Sequence, residues 1–373
     1  MKRMVTFLLA AVMLVTLFVG CQKEDSHVGD DKGEGTPGVE KKEAGNLIGV
    51  AMPTKSLQRW NQDGANMKEL LEDAGYKVDL QYANNSVETQ MSQIENMITK
   101  GCEILVIASI DGSALKGALE KAAKENIKVI AYDRLIRDSE NVDYYATFDN
   151  YKVGVIQGLY IIEKLKLDEG ETGPFTMEVF GGSPDDNNAY FFNSGAMDTL
   201  KPHIESGAIL IKSGQTDMEQ IAIQGWKAEG AQARMDNLLT ANYADENIDV
   251  VLSPNDSLAQ GIVASLKAAG YGTEDKPFPI LTGQDCDTTN VKMLIAGQQS
   301  MSVFKDTRTL ARKVVRMVEA IMEGSEPPVN DTKTYDNGVK VVPAYLCEPV
   351  FADINNYKEL LIDSGYYTEE QLK

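Results

Sequence analysis

Histidine is almost missing from this chain: among 373 residues only His27 and His203 carry an imidazole. His27 falls in a charged, Gly-rich stretch and His203 follows Lys201-Pro202 at a helix end. Neither supports a Ser-His-Asp or Cys-His arrangement, and a His-based metal site cannot be built from them. Cysteine is scarce too. Beyond Cys21, the residues Cys102, Cys286 and Cys347 show no CxxC or metal-ligand spacing, so they read as buried thiols, with one disulfide among them left open. Positive charge is in deficit: 36 Lys and Arg against 56 Asp and Glu give −20. Such a surface repels a phosphate backbone, which argues against nucleic acid as a partner. There is no GxxxxGK[ST] loop and no GxGxxG after a strand, which removes the common nucleotide-binding signals. No cofactor and no metal is expected.

What is present begins with an export signal. Lys2 and Arg3 precede an apolar run at 5–19, about 15 residues, short for a membrane span and right for a signal core. The run closes on Phe18-Val19-Gly20-Cys21, a pattern similar to a bacterial lipobox, in which Cys21 is lipidated and becomes the first mature residue. Residues 22–45 are Gly-rich and charged and cannot bury a core, so they read as a flexible tether. The expected location is extracytoplasmic, anchored to the cell membrane by the N-terminal lipid. No later stretch is long and apolar enough to span a bilayer.

From residue 46 onward, short apolar strand-like runs alternate with segments of helical spacing. Strands are predicted at 46–52, 77–82, 103–108 and 127–132, with helices at 57–74, 87–99 and 114–124 between them. After a turn at Asp149-Asn150 the alternation resumes, with helices at 153–165 and 188–200 and strands at 175–180, 249–252 and 278–282. Alternation of this kind predicts α/β architecture with two doubly wound parallel-sheet lobes. The length suits two such units.

In open α/β sheets ligands bind outside the carboxyl ends of strands. Those ends here collect polar side chains: Arg59-Trp60 after the first strand, Asp133-Arg134 after the fourth, Asp186 and Asn188 in GGSPDDNN, Asn255 in SPND, Asp285 in TGQD, and Lys305 after 302–304. Asp133-Arg134 offers two acceptor oxygens and a rigid donor fork, suited to the hydroxyls of a neutral sugar. It reads equally as an ion pair capping a strand. SPND also reads as a helix N-cap, and Trp60 and Trp226 also read as core residues. Carboxylates such as Asp133 and Asp285 could serve a glycosidase. Asp is abundant, however, and the expectation is a binding protein and not an enzyme.

Longer motifs make the case specific: IGVAMPTKS at Ile48, QMSQIENM at Gln90, KVIAYDRLIR at Lys128, YYATFDN at Tyr144, FGGSPDDNNA at Phe180, ARMDNLL at Ala233, FKDTR at Phe304 and NDTKTYDNGVKVVP at Asn330. From Ile48 to the C-terminus the chain resembles the type I periplasmic sugar-binding proteins, the ChvE-type multiple-monosaccharide receptors and xylose-binding proteins among them. Asn255 stands where the ChvE-type pattern has Tyr and the xylose-binding pattern has Asn. The resemblance implies two lobes joined by a three-strand hinge, closing on an aldopyranose such as xylose, glucose, galactose or arabinose. It implies a monomer that delivers the sugar to an ABC permease and its ATPase, or that presents it to a membrane sensor. Residues 46–149 with 286–330 would form the first lobe and 150–285 with 331–373 the second. Carried over by position, Arg59 and Lys305 would donate from the first lobe, and Asp133 and Arg134 would grip ring hydroxyls. Asp186, Asn188, Asn255 and Asp285 would act from the other side, with Trp60 and Trp226 stacked on the two sugar faces.

Overall fold

The computed structural model describes residues 46–373, so the signal, Cys21 and the tether lie outside the described residues. The first lobe opens with β1 (Leu47–Met52), α1 (Gln58–Asp73), β2 (Lys77–Tyr82), α2 (Val87–Lys100), β3 (Ile104–Ile107), α3 (Lys116–Lys124), β4 (Lys128–Tyr132) and β5 (Tyr144–Phe148). The second holds α4 (Asn150–Lys164), β6 (Phe175–Val179), α5 (Asn187–Glu205), β7 (Ile209–Ile211), α6 (Met218–Ile221), α7 (Ala228–Asn242), β8 (Val250–Leu252), α8 (Asp256–Ala268), β9 (Ile280–Leu281), α9 (Thr288–Ile295) and β10 (Met301–Phe304). The chain ends through α10 (Thr307–Glu323), β11 (Ala344–Cys347) and β12 (Val350–Asp353).

The first sheet runs β11-β5-β4-β3-β1-β2 with all pairs parallel, and the second runs β7-β6-β8-β9, also parallel. Successive side chains of a strand point to opposite faces. Ile48, Val50 and Met52 of β1 therefore enter one core cluster while Ala51 enters the other, and Ile104 and Val106 of β3 part in the same way from Leu105 and Ile107. Both faces are covered by helices, which is why these strands are apolar throughout. The strongest amphipathic segment, α10, buries Leu310, Ala311, Val314, Val315, Met317 and Val318 along one side. Each of its larger apolar side chains contributes about 1.5–3 kcal/mol by leaving water. The Asp306 carboxylate accepts from Arg308 N at its start, and Gly324 in the left-handed region ends it.

The chain passes between lobes three times, after β5, after β10 and after β11, as a three-strand hinge requires. Two crossings are sealed by helix caps: Asp149 accepts from Lys152 N at 2.9 Å to start α4, and Asp306 starts α10. Asp149 N also donates to Cys347 O at 3.0 Å, tying the first crossing to the third.

The first crossing lies between β5 and α4, and the other two do not fall where the sequence reading put them. Residues 286–304, expected in the first lobe, belong with the second: Val303 N donates to Gly283 O at 2.9 Å, and Met301 and Val303 are buried in that lobe's core. Residues 344–347, expected in the second lobe, form the edge strand β11 beside β5 of the first. β12 then returns to pair antiparallel with β10. These pairings join segments far apart in sequence, and local periodicity carries no information on which distant strand a segment will adjoin.

Candidate functional site

All ten residues singled out from the sequence line one cavity between the lobes: Arg59, Trp60, Asp133, Arg134, Asp186, Asn188, Trp226, Asn255, Asp285 and Lys305. It holds about 450 Å³ of empty space, mouth included. β1 leads to α1 with Arg59 and Trp60, β4 ends on Asp133 and Arg134, and β8 ends on the loop that carries Asn255. Two of the residues are helix caps as well. Asp186 Oδ1 accepts from Asn188 N at 3.0 Å ahead of α5, and Asn255 Oδ1 accepts from Leu258 N at 3.1 Å ahead of α8. The N-cap and cavity roles therefore coexist on Asn255.

Asp133 adopts a left-handed backbone, φ 58°, at the strand end. Its carbonyl holds that turn by accepting from Tyr145 Oη at 2.6 Å, Thr147 Oγ1 at 2.9 Å and Asn188 Nδ2 at 2.7 Å, the last from the opposite lobe. Trp226, Asp285 and Cys286 share the left-handed region, with φ 57°, 100° and 53°. Such conformations cost of order 1–3 kcal/mol each and gather where side chains must be aimed.

Arg59 is the electrostatic centre. Nε meets Asp63 Oδ2 at 2.5 Å, Nη2 meets Asp133 Oδ1 at 2.6 Å, and Nη1 meets Asp285 Oδ1 at 2.9 Å. The Tyr132 hydroxyl donates to the other oxygen of Asp63. Lys305 Nζ lies 3.1 Å from Asp285 and 3.9 Å from Asp133. Arg134 Nε lies 3.0 Å from Asp186 Oδ2 across the cleft, and its Nη1 donates to Ser109 O at 3.1 Å. Burial pushes Asp133 upward, but Arg59, Lys305 and Arg134 together hold it below the ordinary carboxylate value. For Asp186 burial wins over Arg134, and its value is raised.

Arg59, expected to donate from the first lobe, has each of its three guanidinium nitrogens facing a protein carboxylate, which positions Asp133 and Asp285 and leaves two of its five N–H groups over. Lys305, also expected in the first lobe, sits on the second crossing, between β10 and α10. The two Trp residues belong to separate cores. Trp60 packs in the first lobe beneath Arg134, whose Cζ is 5.0 Å from the ring centroid, and Trp226 packs in the second lobe edge-on to Phe192 at 6.3 Å. Five lining residues were missed: Leu57, Phe192, Ser257, Gln284 and Asp287. Gln284 and Asp287 flank Asp285 at a strand end and were findable by the rule that found it. Phe192 and Ser257 lie within α5 and α8, where nothing local distinguishes them. Among the described residues no group of His, Cys, Asp and Glu could hold a metal ion, and Cys102, Cys286 and Cys347 are free and buried.

The cleft thus places carboxylates, amides and three cations around a small space with an indole contributed from each lobe. A model of the periplasmic binding protein domain matches residues 48–326. The chain is 56% identical over 326 residues to the multiple sugar-binding periplasmic receptor ChvE of Rhizobium radiobacter, covering 87% of this chain and 92% of that protein. It is 38% identical over 325 residues to the D-xylose-binding periplasmic protein of Escherichia coli (strain K12), covering 87% and 92%. The crystal structure of an ABC transporter solute binding protein from Clostridium phytofermentans, with bound β-D-glucose, matches with TM-score 0.84 at 61% identity, covering 88% of this chain and 100% of that one. The chain belongs to the type I periplasmic binding protein family, alongside its multiple sugar-binding receptors.

Proposed function

We propose that the cavity binds one monosaccharide, an aldopyranose such as glucose, xylose, galactose or arabinose, and that the lobes close around it. The observation that carries this reading is the lining itself. Acceptors on Asp133, Asp186 and Asp285 and donors on Arg134 and Lys305 meet the hydroxyls of a neutral ring, while Trp60 and Trp226 meet its C–H faces. Each aromatic contact is worth roughly 1 kcal/mol beyond the area it buries. Binding favours the closed form through contacts made to both lobes at once. The sugar-binding names of the relatives and the glucose in the solved neighbour support the same class of ligand.

In this reading the protein is an extracytoplasmic lipoprotein, tethered through Cys21, that hands its sugar to an ABC permease driven by an ATPase. Presentation of the bound sugar to a membrane sensor is a second reading, favoured by the description of one relative as a receptor. A thermal-shift panel of aldoses tests the binding step. Ligand at 100 times its dissociation constant adds about 2.7 kcal/mol of stability, so at least one aldose should raise the melting temperature by several degrees. A flat panel overturns the proposal.

A further inference from the structure

Four carboxylates line the cavity, and three already face cations: Asp133 and Asp285 face Arg59, Asp285 also faces Lys305, and Asp186 faces Arg134. Asp287 differs. Among the described residues it forms no ion pair, and its Oδ1 is buried without a hydrogen-bond partner although the residue is only 7% exposed. Its backbone is fully used. Asp287 N donates to Asp256 Oδ2 at 2.9 Å, and its carbonyl accepts from Val291 N at 2.9 Å, which fixes the residue at the head of α9. The carboxylate is held in place and left uncommitted.

The surrounding charges sharpen the contrast. Asp285 bears on Asp287, and Asp287 in turn on Asp256, while Arg59 and Lys305 act on Asp287 from beyond ion-pair distance. Those two cations also serve Asp63, Asp133 and Asp285. Two cations thus meet three carboxylates, Asp63, Asp133 and Asp285, before Asp287 is counted, so neither is free to neutralise it. A buried carboxylate without a partner is costly, and a cation supplied by a ligand would remove that cost. A neutral hydroxyl would offer one donor there, whereas an ammonium offers three donors and the opposite charge.

Resting on the monosaccharide reading above, the geometry points to Asp287 as a cation subsite of this cavity: it takes the ammonium group of an amino sugar whose ring occupies the neutral-sugar position. The class of ligand therefore extends from neutral aldoses to aldoses in which one hydroxyl is replaced by an amine.

The test is titration calorimetry near neutral pH with glucose and with its 2-, 3-, 4- and 6-amino-deoxy derivatives, on the wild-type protein and on Asp287→Asn. For at least one regioisomer, its affinity relative to glucose should be roughly tenfold or more higher in the wild type than in the variant. That ratio is insensitive to a general loss of cavity quality, which moves both sugars together. Should Asp287→Asn fail to melt cooperatively, Asp287→Ser is read by the same criterion. Ratios that agree between wild type and variant for all four amines overturn the inference while leaving the monosaccharide reading intact, as does wild-type protein that binds glucose and no amine. If neither glucose nor any amine binds, the monosaccharide reading falls first and the subsite with it.

Discussion

Arg59 on α1 of the first lobe and Asp285 on the loop after β9 of the second are joined across the cleft, Nη1 to Oδ1, at 2.9 Å. The same guanidinium grips Asp63 and Asp133 within its own lobe. One side chain thus couples the aim of the first lobe's carboxylate to the position of the second lobe. Substituting Arg59→Met leaves three carboxylates short of their partner in a buried site. Removing one member of a buried ionic network costs about 3–5 kcal/mol, so urea unfolding should show a loss of that order, with sugar affinity lost as well. A variant as stable as the wild type would contradict this account.

Asp133→Ala and Arg134→Ala are each expected to abolish measurable monosaccharide binding while retaining a cooperative melt. Asp133 is held by Arg59, and Arg134 meets Asp186 across the cleft. Calorimetry on both variants decides it, and unchanged affinity in either removes that residue from the proposed grip.

Gly182 lies against the Trp226 ring: a Cβ there would fall 2.0 Å from Cη2. Gly182→Ala must therefore displace the indole from the cavity wall. We expect monosaccharide affinity to drop by roughly tenfold or more, equivalent to about 1.4 kcal/mol, with a smaller effect on melting temperature. Intact affinity would mean that Trp226 contributes little to binding.

Burial, opposed by Arg59, raises Asp63 to about 6, and burial with Asp285 alongside raises Asp287 to about 7. Both values lie above those of the unfolded chain, so between about pH 4 and 7 the folded protein holds protons that the unfolded chain has released. Stability then falls as pH rises through that window. Asp133, held low, acts in the opposite sense only below about pH 4. Melting of the sugar-free protein should therefore occur at a higher temperature near pH 5 than near pH 7.5, with a shallower slope in Asp287→Asn. A melting temperature that climbs over this range refutes the assignment.

Cys21→Ser should move the protein from the membrane fraction to the soluble extracytoplasmic fraction. Retention of the variant in membranes would remove the lipid anchor from the proposed function.

Much of this architecture was legible in the sequence because its strands are buried on both faces and read as unbroken apolar runs. The strand-end rule then located the polar groups: Asp133-Arg134 and Asp285 were found by where β4 and β9 stop. Two things escaped it. The membership of β10 and β11 depends on distant hydrogen-bonding partners, as in the pairing of Ala344 with Tyr145. The ion pairs of Arg59 depend on three carboxylates brought together from α1, the end of β4 and the loop after β9, and residue type alone carries no information on that convergence. The even choice between ion pair and binding residue for Asp133-Arg134 was also posed too narrowly: each of the two has its ionic partner elsewhere, in Arg59 and in Asp186.

The three crossings have a consequence for the integrity of the chain. Neither lobe is a contiguous stretch, because α10 and β11 complete the first after the second is nearly built, and β12 then returns to the second. A single proteolytic cut between Lys305 and Asp306 would leave two fragments that each own parts of both lobes. To separate, they would have to strip β11 from β5, α10 from α1 and β12 from β10 together. The nicked molecule should accordingly hold together without a continuous backbone, and neither lobe can be obtained by truncating the chain at one point.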